Sequence, residues 1–134
     1  MNVILIDYSD ACISREAKTP APVGSSGKFV QLRDKTTEYL VLAPKECASY
    51  HADIAERFCR EKGLRGYRDG EGKRFDIHEL TWVIVGGGKF ELDRRKKYIR
   101  LYGNSLAYGR FDSKGLKSKI LSICELSDYT ADIE

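Results

Sequence analysis

Glu38-Tyr39-Leu40-Val41-Leu42-Ala43-Pro44, with the stretch from Ser49 to Gly63 behind it, decides the fold class of this chain. Glu38 to Ala43 reads as a buried strand, because its core is a short, unbroken apolar run. Pro44 ends that strand. A helix follows, with Ser49 as the predicted N-cap and Gly63 as the predicted stop. Within it Ile54, Phe58 and Lys62 recur at four-residue spacing, with Ala55 and Cys59 beside them. His51 then sits above Ile54 and Ala55 on the inward-facing side. A buried strand feeding an amphipathic helix is the signature of an α/β domain.

Working outward, Met1 to Ile6 reads as a first strand, and Asp7 to Gly27, which holds all but one of the prolines, as an extended connection. Lys28 to Arg33 is predicted as a strand and Asp34 to Thr37 as a turn. Gly63 to Arg74 is polar and glycine-rich, hence a loop. His78 to Val85 returns to a strand, which Gly86-Gly87-Gly88 interrupts before a short strand at Lys89 to Leu92. Lys97 to Tyr102 alternates as a strand. A second helix is predicted from Ser113 to Leu126, capped by Asp112, with Leu116, Ile120, Ile123 and Cys124 as its apolar line. The expected architecture is α/β: a single compact domain over residues 1–134, with one mixed β-sheet flanked by two main α-helices.

The bulk numbers agree with one domain. The chain has 134 residues, of which 42% are hydrophobic, enough for a single core. The net charge of +3 favours anionic ligands mildly and does not demand nucleic acid. The four cysteines are far apart, without a C-x-x-C pair, which argues against a zinc or redox motif. The simplest expectation is a reduced, cytoplasmic, monomeric protein. No apolar run reaches the length of a membrane span, so no membrane association is expected.

Two segments carry chemistry. Tyr50-His51-Ala52-Asp53-Ile54 places a histidine at the start of a helix. Tyr102-Gly103-Asn104-Ser105-Leu106-Ala107-Tyr108-Gly109 is a glycine-bracketed loop after a strand. Helix N-termini and loop amides bind phosphate, and a histidine beside phosphate is a ready acid, base or nucleophile. The helix's positive end would keep His51 neutral near pH 7, although a capping Ser49 would compete for the same amides. Gly103 and Gly109 permit backbone turns closed to other residues. Gly86-Gly87-Gly88-Lys89 lacks the spacing of a P-loop or a dinucleotide fingerprint, and reads as a bulge or tight turn with a cation at its exit. Cys59 to Arg65 fits the C-x5-R spacing of cysteine phosphatases. A thiol late in a helix, on its apolar side, is nonetheless in the wrong field for a thiolate. The basic run Arg94-Arg95-Lys96-Lys97, beside Tyr98 and Tyr102, is the segment an RNA-binding reading would use.

At these residues the sequence resembles the Janus/ocnus family, which includes protein histidine phosphatases. The carrying segments are Tyr50 to Ile54, Gly86 to Lys89 and Lys97 to Gly109, in the family's order and approximate spacing. The resemblance runs from about Lys28 to about Leu126. It implies a compact α/β fold and metal-independent hydrolysis of phosphohistidine in protein substrates, with no cofactor. His51 matches the catalytic histidine, as general base or nucleophile. Ser105, Leu106 and Ala107 match the phosphate-binding loop. Lys28 matches a lysine that faces the phosphate, and Tyr50 and Lys89 fall beside the site. Ala43 stands where members have an arginine, and the segments before Gly27 and from Gly63 to Arg74 have no clear match. The alternative expectation is a non-catalytic phosphate- or phosphoprotein-binding module of the same fold.

Overall fold

Tyr39, Val41 and Ala43 face one side of their strand, Leu40 and Leu42 the other, and all five are buried. A strand apolar on both faces needs cover on both, and the architecture supplies it. A computed structural model describes residues 2–8 and 24–134. In chain order the elements are β1 (Asn2–Asp7), β2 (Gly24–Arg33), β3 (Thr37–Pro44), α1 (His51–Lys62), β4 (Gly66–Arg68), β5 (Phe75–Ile77), β6 (Val83–Asp93), β7 (Tyr98–Tyr102), α2 (Leu116–Leu121) and β8 (Thr130–Ile133). Six strands form one sheet in the order β1-β3-β2-β6-β7-β8, and β4 and β5 form a separate hairpin. β1 runs parallel to β3 and β8 parallel to β7, while the central pairings are antiparallel. The sheet is therefore mixed, as expected, and the domain is α/β.

On one face α1 buries Ile54, Ala55, Phe58 and Cys59 against Val30, Leu32, Tyr39 and Val41. Phe58 packs between Tyr39 and Trp82, with ring centroids 5.1 and 5.7 Å away. On the other face Leu116 and Ile120 of α2 meet Phe29, Leu40, Leu42, Phe90 and Leu101. Gly63 ends α1 in the left-handed region at φ 71°, as a C-terminal glycine does.

Several expectations need correction. Ser49 is not the cap of α1. Tyr50 holds that position, and its N–H donates to the Asp53 carboxylate at 3.0 Å. The second helix is shorter than its apolar line suggested. Gly115 adopts φ 67°, so regular helix begins only at Leu116. Asp112 accepts the Lys114 N–H in a local turn rather than capping the helix. The Ser122 hydroxyl donates to the Lys119 carbonyl, and the chain is extended at Ile123 before a short 3-10 turn. The triple glycine does not interrupt a strand, because β6 runs straight through it. The predicted loop from Gly63 to Arg74 includes β4, the first strand of the hairpin. Cys47 is in a disulfide, so not all four thiols are reduced. The reading of 7–27 as an extended connection falls mostly outside the described residues. Among the described residues, no helix is long and apolar enough to cross a membrane.

Candidate functional site

β2 and β6 pair antiparallel, which sets Lys28 opposite Lys89 and Val30 opposite Gly87. Directly paired residues share a sheet face, and Val30 faces α1. The two lysines therefore stand side by side on the α1 face. Neither has a carboxylate partner among the described residues.

α1 brings His51 to the same place. The ring is 7% exposed, and its Nε2 lies 2.9 Å from the Gly88 carbonyl oxygen. A carbonyl only accepts, so Nε2 carries the proton and Nδ1 is left with a lone pair. Burial pushes the His51 pKa below its ordinary value, and the charges of Lys28 and Lys89 lower it further against the opposing pull of the Gly88 carbonyl. The imidazole is neutral near pH 7 and ready to accept a proton.

Gly87 explains how the ring fits. A Cβ there would lie 2.9 Å from His51 Cδ2 and 2.7 Å from the Phe29 carbonyl oxygen. The triple glycine is thus not a tight turn, although the register with β2 shifts at its start, between Gln31 and Leu32, as at a bulge. Its middle member is the seat of the histidine. Its outer members let the 102–111 segment cross close above the opposite face, where a Cβ at Gly88 would lie 2.4 Å from the Tyr102 carbonyl oxygen.

That segment supplies the third side. Gly103 and Gly109 adopt φ 77° and 80°. Ser105 and Gly109 exchange both backbone hydrogen bonds, at 3.0 and 2.8 Å. The Tyr108 N–H donates to Ser105 Oγ at 3.1 Å. Ser105 is buried beneath this turn, its amide already spent on Gly109, while Leu106 at the tip is fully exposed. The Leu106 and Ala107 amides have no protein acceptor among the described residues.

A cleft of about 840 Å³ gathers Lys28, Tyr50, His51, Lys89, Leu106 and Ala107, six of the seven residues the sequence singled out. The seventh, Ser105, frames the loop from below. Its fourth wall is the turn joining β4 to β5, which brings Arg74, Lys73, Asp69 and Glu71. Sequence reasoning missed these residues. The sequence carries no short-hairpin signal for them, because the loop of residues 69–74 joins strands of only three residues each. Arg74 also bears on the departure at Ala43. Ala43 is buried in the core, and a guanidinium reaches the cleft from the hairpin instead.

The hairpin is latched to the loop. The Tyr108 hydroxyl donates to the Phe75 carbonyl at 2.6 Å and accepts the Phe75 N–H at 2.8 Å. Burial pushes this phenol up to about 12, so it stays a donor through the neutral range. Tyr108→Phe is expected to cost about 1–2 kcal/mol of stability, since a hydrogen-bonded pair of backbone groups loses its partner. Chemical denaturation of the two proteins checks this.

The rival features of the sequence are accounted for. Cys59 is fully buried, and burial pushes its thiol up to about 11, far from a nucleophilic thiolate. In the basic run, Arg94 pairs with Asp7 and Lys97 with Asp128, and the nearby Arg100 pairs with Glu91 and Glu134. Such neutralised charge is a poor nucleic-acid footprint.

The model of the Janus/Ocnus family matches residues 28–130. The sex-regulated protein janus-A of Drosophila pseudoobscura pseudoobscura is 30% identical over 97 residues, which are 72% of this chain and 56% of that protein. The chain thus spans about half the length of this curated relative.

Proposed function

This chain belongs to the Janus/Ocnus family, and from that premise we propose that it hydrolyses the P–N bond of phosphohistidine in proteins. The observation that carries the reading is His51: a buried, neutral imidazole with Nε2 fixed on the Gly88 carbonyl, its Nδ1 without a partner among the described residues, beside two lysines that form no ion pair with a described carboxylate. A phosphoryl group fits that arrangement. Its oxygens accept from Lys28, Lys89 and the Leu106 and Ala107 amides, which offsets the charge that builds on them in the transition state. Water lies between Nδ1 and phosphorus. As the O–P bond forms, His51 takes the water's proton. The P–N bond breaks with its electron pair going to the leaving imidazole, which departs neutral from the substrate form protonated at its other ring nitrogen. Most of the barrier is met by positioning and fixed charge.

The test is release of phosphate from a phosphohistidine-bearing protein in excess chelator. Release no faster than the spontaneous rate overturns the reading. The pH profile carries its own sign. His51 acts only when neutral, and its pKa in the free protein lies below the ordinary 6.5. kcat/KM is therefore expected to fall on an acid limb below 6.5 as His51 protonates, while its alkaline side follows the protonation of the leaving imidazole. A bound phosphoryl dianion raises the same pKa, so the limb in kcat should lie at higher pH than the limb in kcat/KM. Limbs in the reverse order would contradict the assignment of His51 as base.

A further inference from the structure

The β4–β5 hairpin lies outside the six-stranded sheet, yet it is tied to the cleft from both sides. Arg68 Nη2 donates to Asp53 Oδ1 at 2.7 Å and to Glu56 Oε1 at 3.0 Å, while its Nη1 donates to the Gly72 carbonyl at 2.7 Å. One guanidinium thus fastens the hairpin's turn to the first turns of α1. On the other side Arg74 reaches the loop. Its Nη1 donates to the Ala107 carbonyl at 2.5 Å, its Nε donates to Asp76 at 2.9 Å, and its guanidinium sits over the Tyr108 ring, 5.2 Å from the centroid.

These contacts have a consequence for the loop. The peptide between Ala107 and Tyr108 is held at both ends, its carbonyl by Arg74 and its N–H by Ser105 Oγ. A peptide plane gripped this way cannot flip. Its carbonyl is kept on Arg74, where it does not face an incoming anion, and the neighbouring Leu106 and Ala107 amides keep one orientation. A guanidinium suits the task because it is a planar fork that serves two acceptors at once and remains charged. Donors on Nη2 are left over, beside the cleft that Lys28 and Lys89 share.

We propose that Arg74 is a positioning residue for the phosphoryl group: it presets the 105–109 turn through the Ala107 carbonyl and adds a guanidinium to the cleft. The inference rests on the phosphate reading of the site. It makes the hairpin part of the phosphate machinery rather than a surface ornament.

The experiment uses inorganic phosphate as probe and the whole chain as protein. Binding is titrated by amide NMR, following Leu106 and Ala107, for wild type, Arg74→Ala and Arg74→Lys. Arg74 is about half exposed, 48% for its side chain, so both variants are expected to fold. Arg74→Ala should weaken phosphate binding about tenfold, the scale of one charge-assisted hydrogen bond, and should shift the two amides before any phosphate is added. Arg74→Lys should recover only a small part of the loss, since one ammonium cannot hold Asp76 and Ala107 together. Asp76→Asn, which loosens the anchor but leaves the guanidinium, should give a smaller loss of the same sign. Wild-type affinity in Arg74→Ala overturns the proposal. So does full recovery in Arg74→Lys, which would make Arg74 a mere point charge. A wild-type protein that ignores phosphate altogether instead removes the phosphate reading beneath it.

Discussion

His51→Ala lowers turnover of phosphohistidine about 10²- to 10⁴-fold, the range of a lost general base, while phosphate still binds. The second half of this expectation follows from the division of labour in the cleft. On the proposed reading Lys28, Lys89 and the turn amides hold the anion, and His51 moves the proton. The loss should therefore appear in kcat, with KM nearly unchanged. Removing the imidazole also strips the Gly88 carbonyl of its hydrogen bond, which costs about 1 kcal/mol. Melting curves separate that cost from the catalytic one. Equal, background-level release by wild type and variant would leave a phosphoprotein-binding module in place of an enzyme. Rapid-quench labelling distinguishes the two roles of the ring. No phosphorylated His51 should accumulate during fast turnover, and a trapped phosphoimidazole would make it the nucleophile instead.

Gly87→Ala is the second large effect, and its sign is diagnostic. Replacing glycine by alanine within a strand ordinarily gains up to about 1 kcal/mol through the unfolded chain. Here the added methyl would meet Phe29's carbonyl oxygen at 2.7 Å, His51 Cδ2 at 2.9 Å and Ser105 Cβ at 3.3 Å. The carbonyl belongs to the paired strand and cannot step aside without loosening the ladder. A net destabilisation of roughly 1–3 kcal/mol is expected, as for other overpacked sites. The imidazole must also shift, so its bond to Gly88 is strained and activity should fall toward the level of His51→Ala. Gly24→Ala is the control in the same sheet. Its methyl would touch only the Leu92 carbonyl oxygen, at an ordinary 3.5 Å, and stability should be unchanged or better. Chemical denaturation and turnover measured on both proteins check the pair.

The parts of this molecule that could be read from the chain are those whose cause is local. The apolar run Tyr39 to Ala43 and the periodicity of Ile54, Phe58 and Cys59 are one-dimensional signals, and both survive into the core. The positive φ at Gly103 and Gly109 is likewise a property of single residues. His51 was visible because it opens a helix. What escaped had its cause across space. Gly87 is required by a ring thirty-six positions earlier in the chain, so from sequence the glycines read only as a bulge or tight turn. Gly115 broke α2 where side-chain periodicity still looked helical. Arg74 lies in a polar loop whose strands are three residues each, too short for any period to register. Its partner Ala107 is thirty-three residues away, and no spacing rule connects them.

The facing lysines have a bearing on the protein as a whole. Like charges on opposite rungs of a ladder work against the sheet that carries them. Lys28 and Lys89 do so at its centre, between β2 and β6, and among the described residues neither forms an ion pair with a carboxylate. That repulsion works against the folded state, and an anion between the two ammonium groups would offset it. Occupancy and foldedness become two readings of one equilibrium. Phosphate at a hundred times its dissociation constant would hold the native state by about 2.7 kcal/mol more. On this reading the same two side chains that would grip a substrate would also tie part of the protein's cohesion to what it holds.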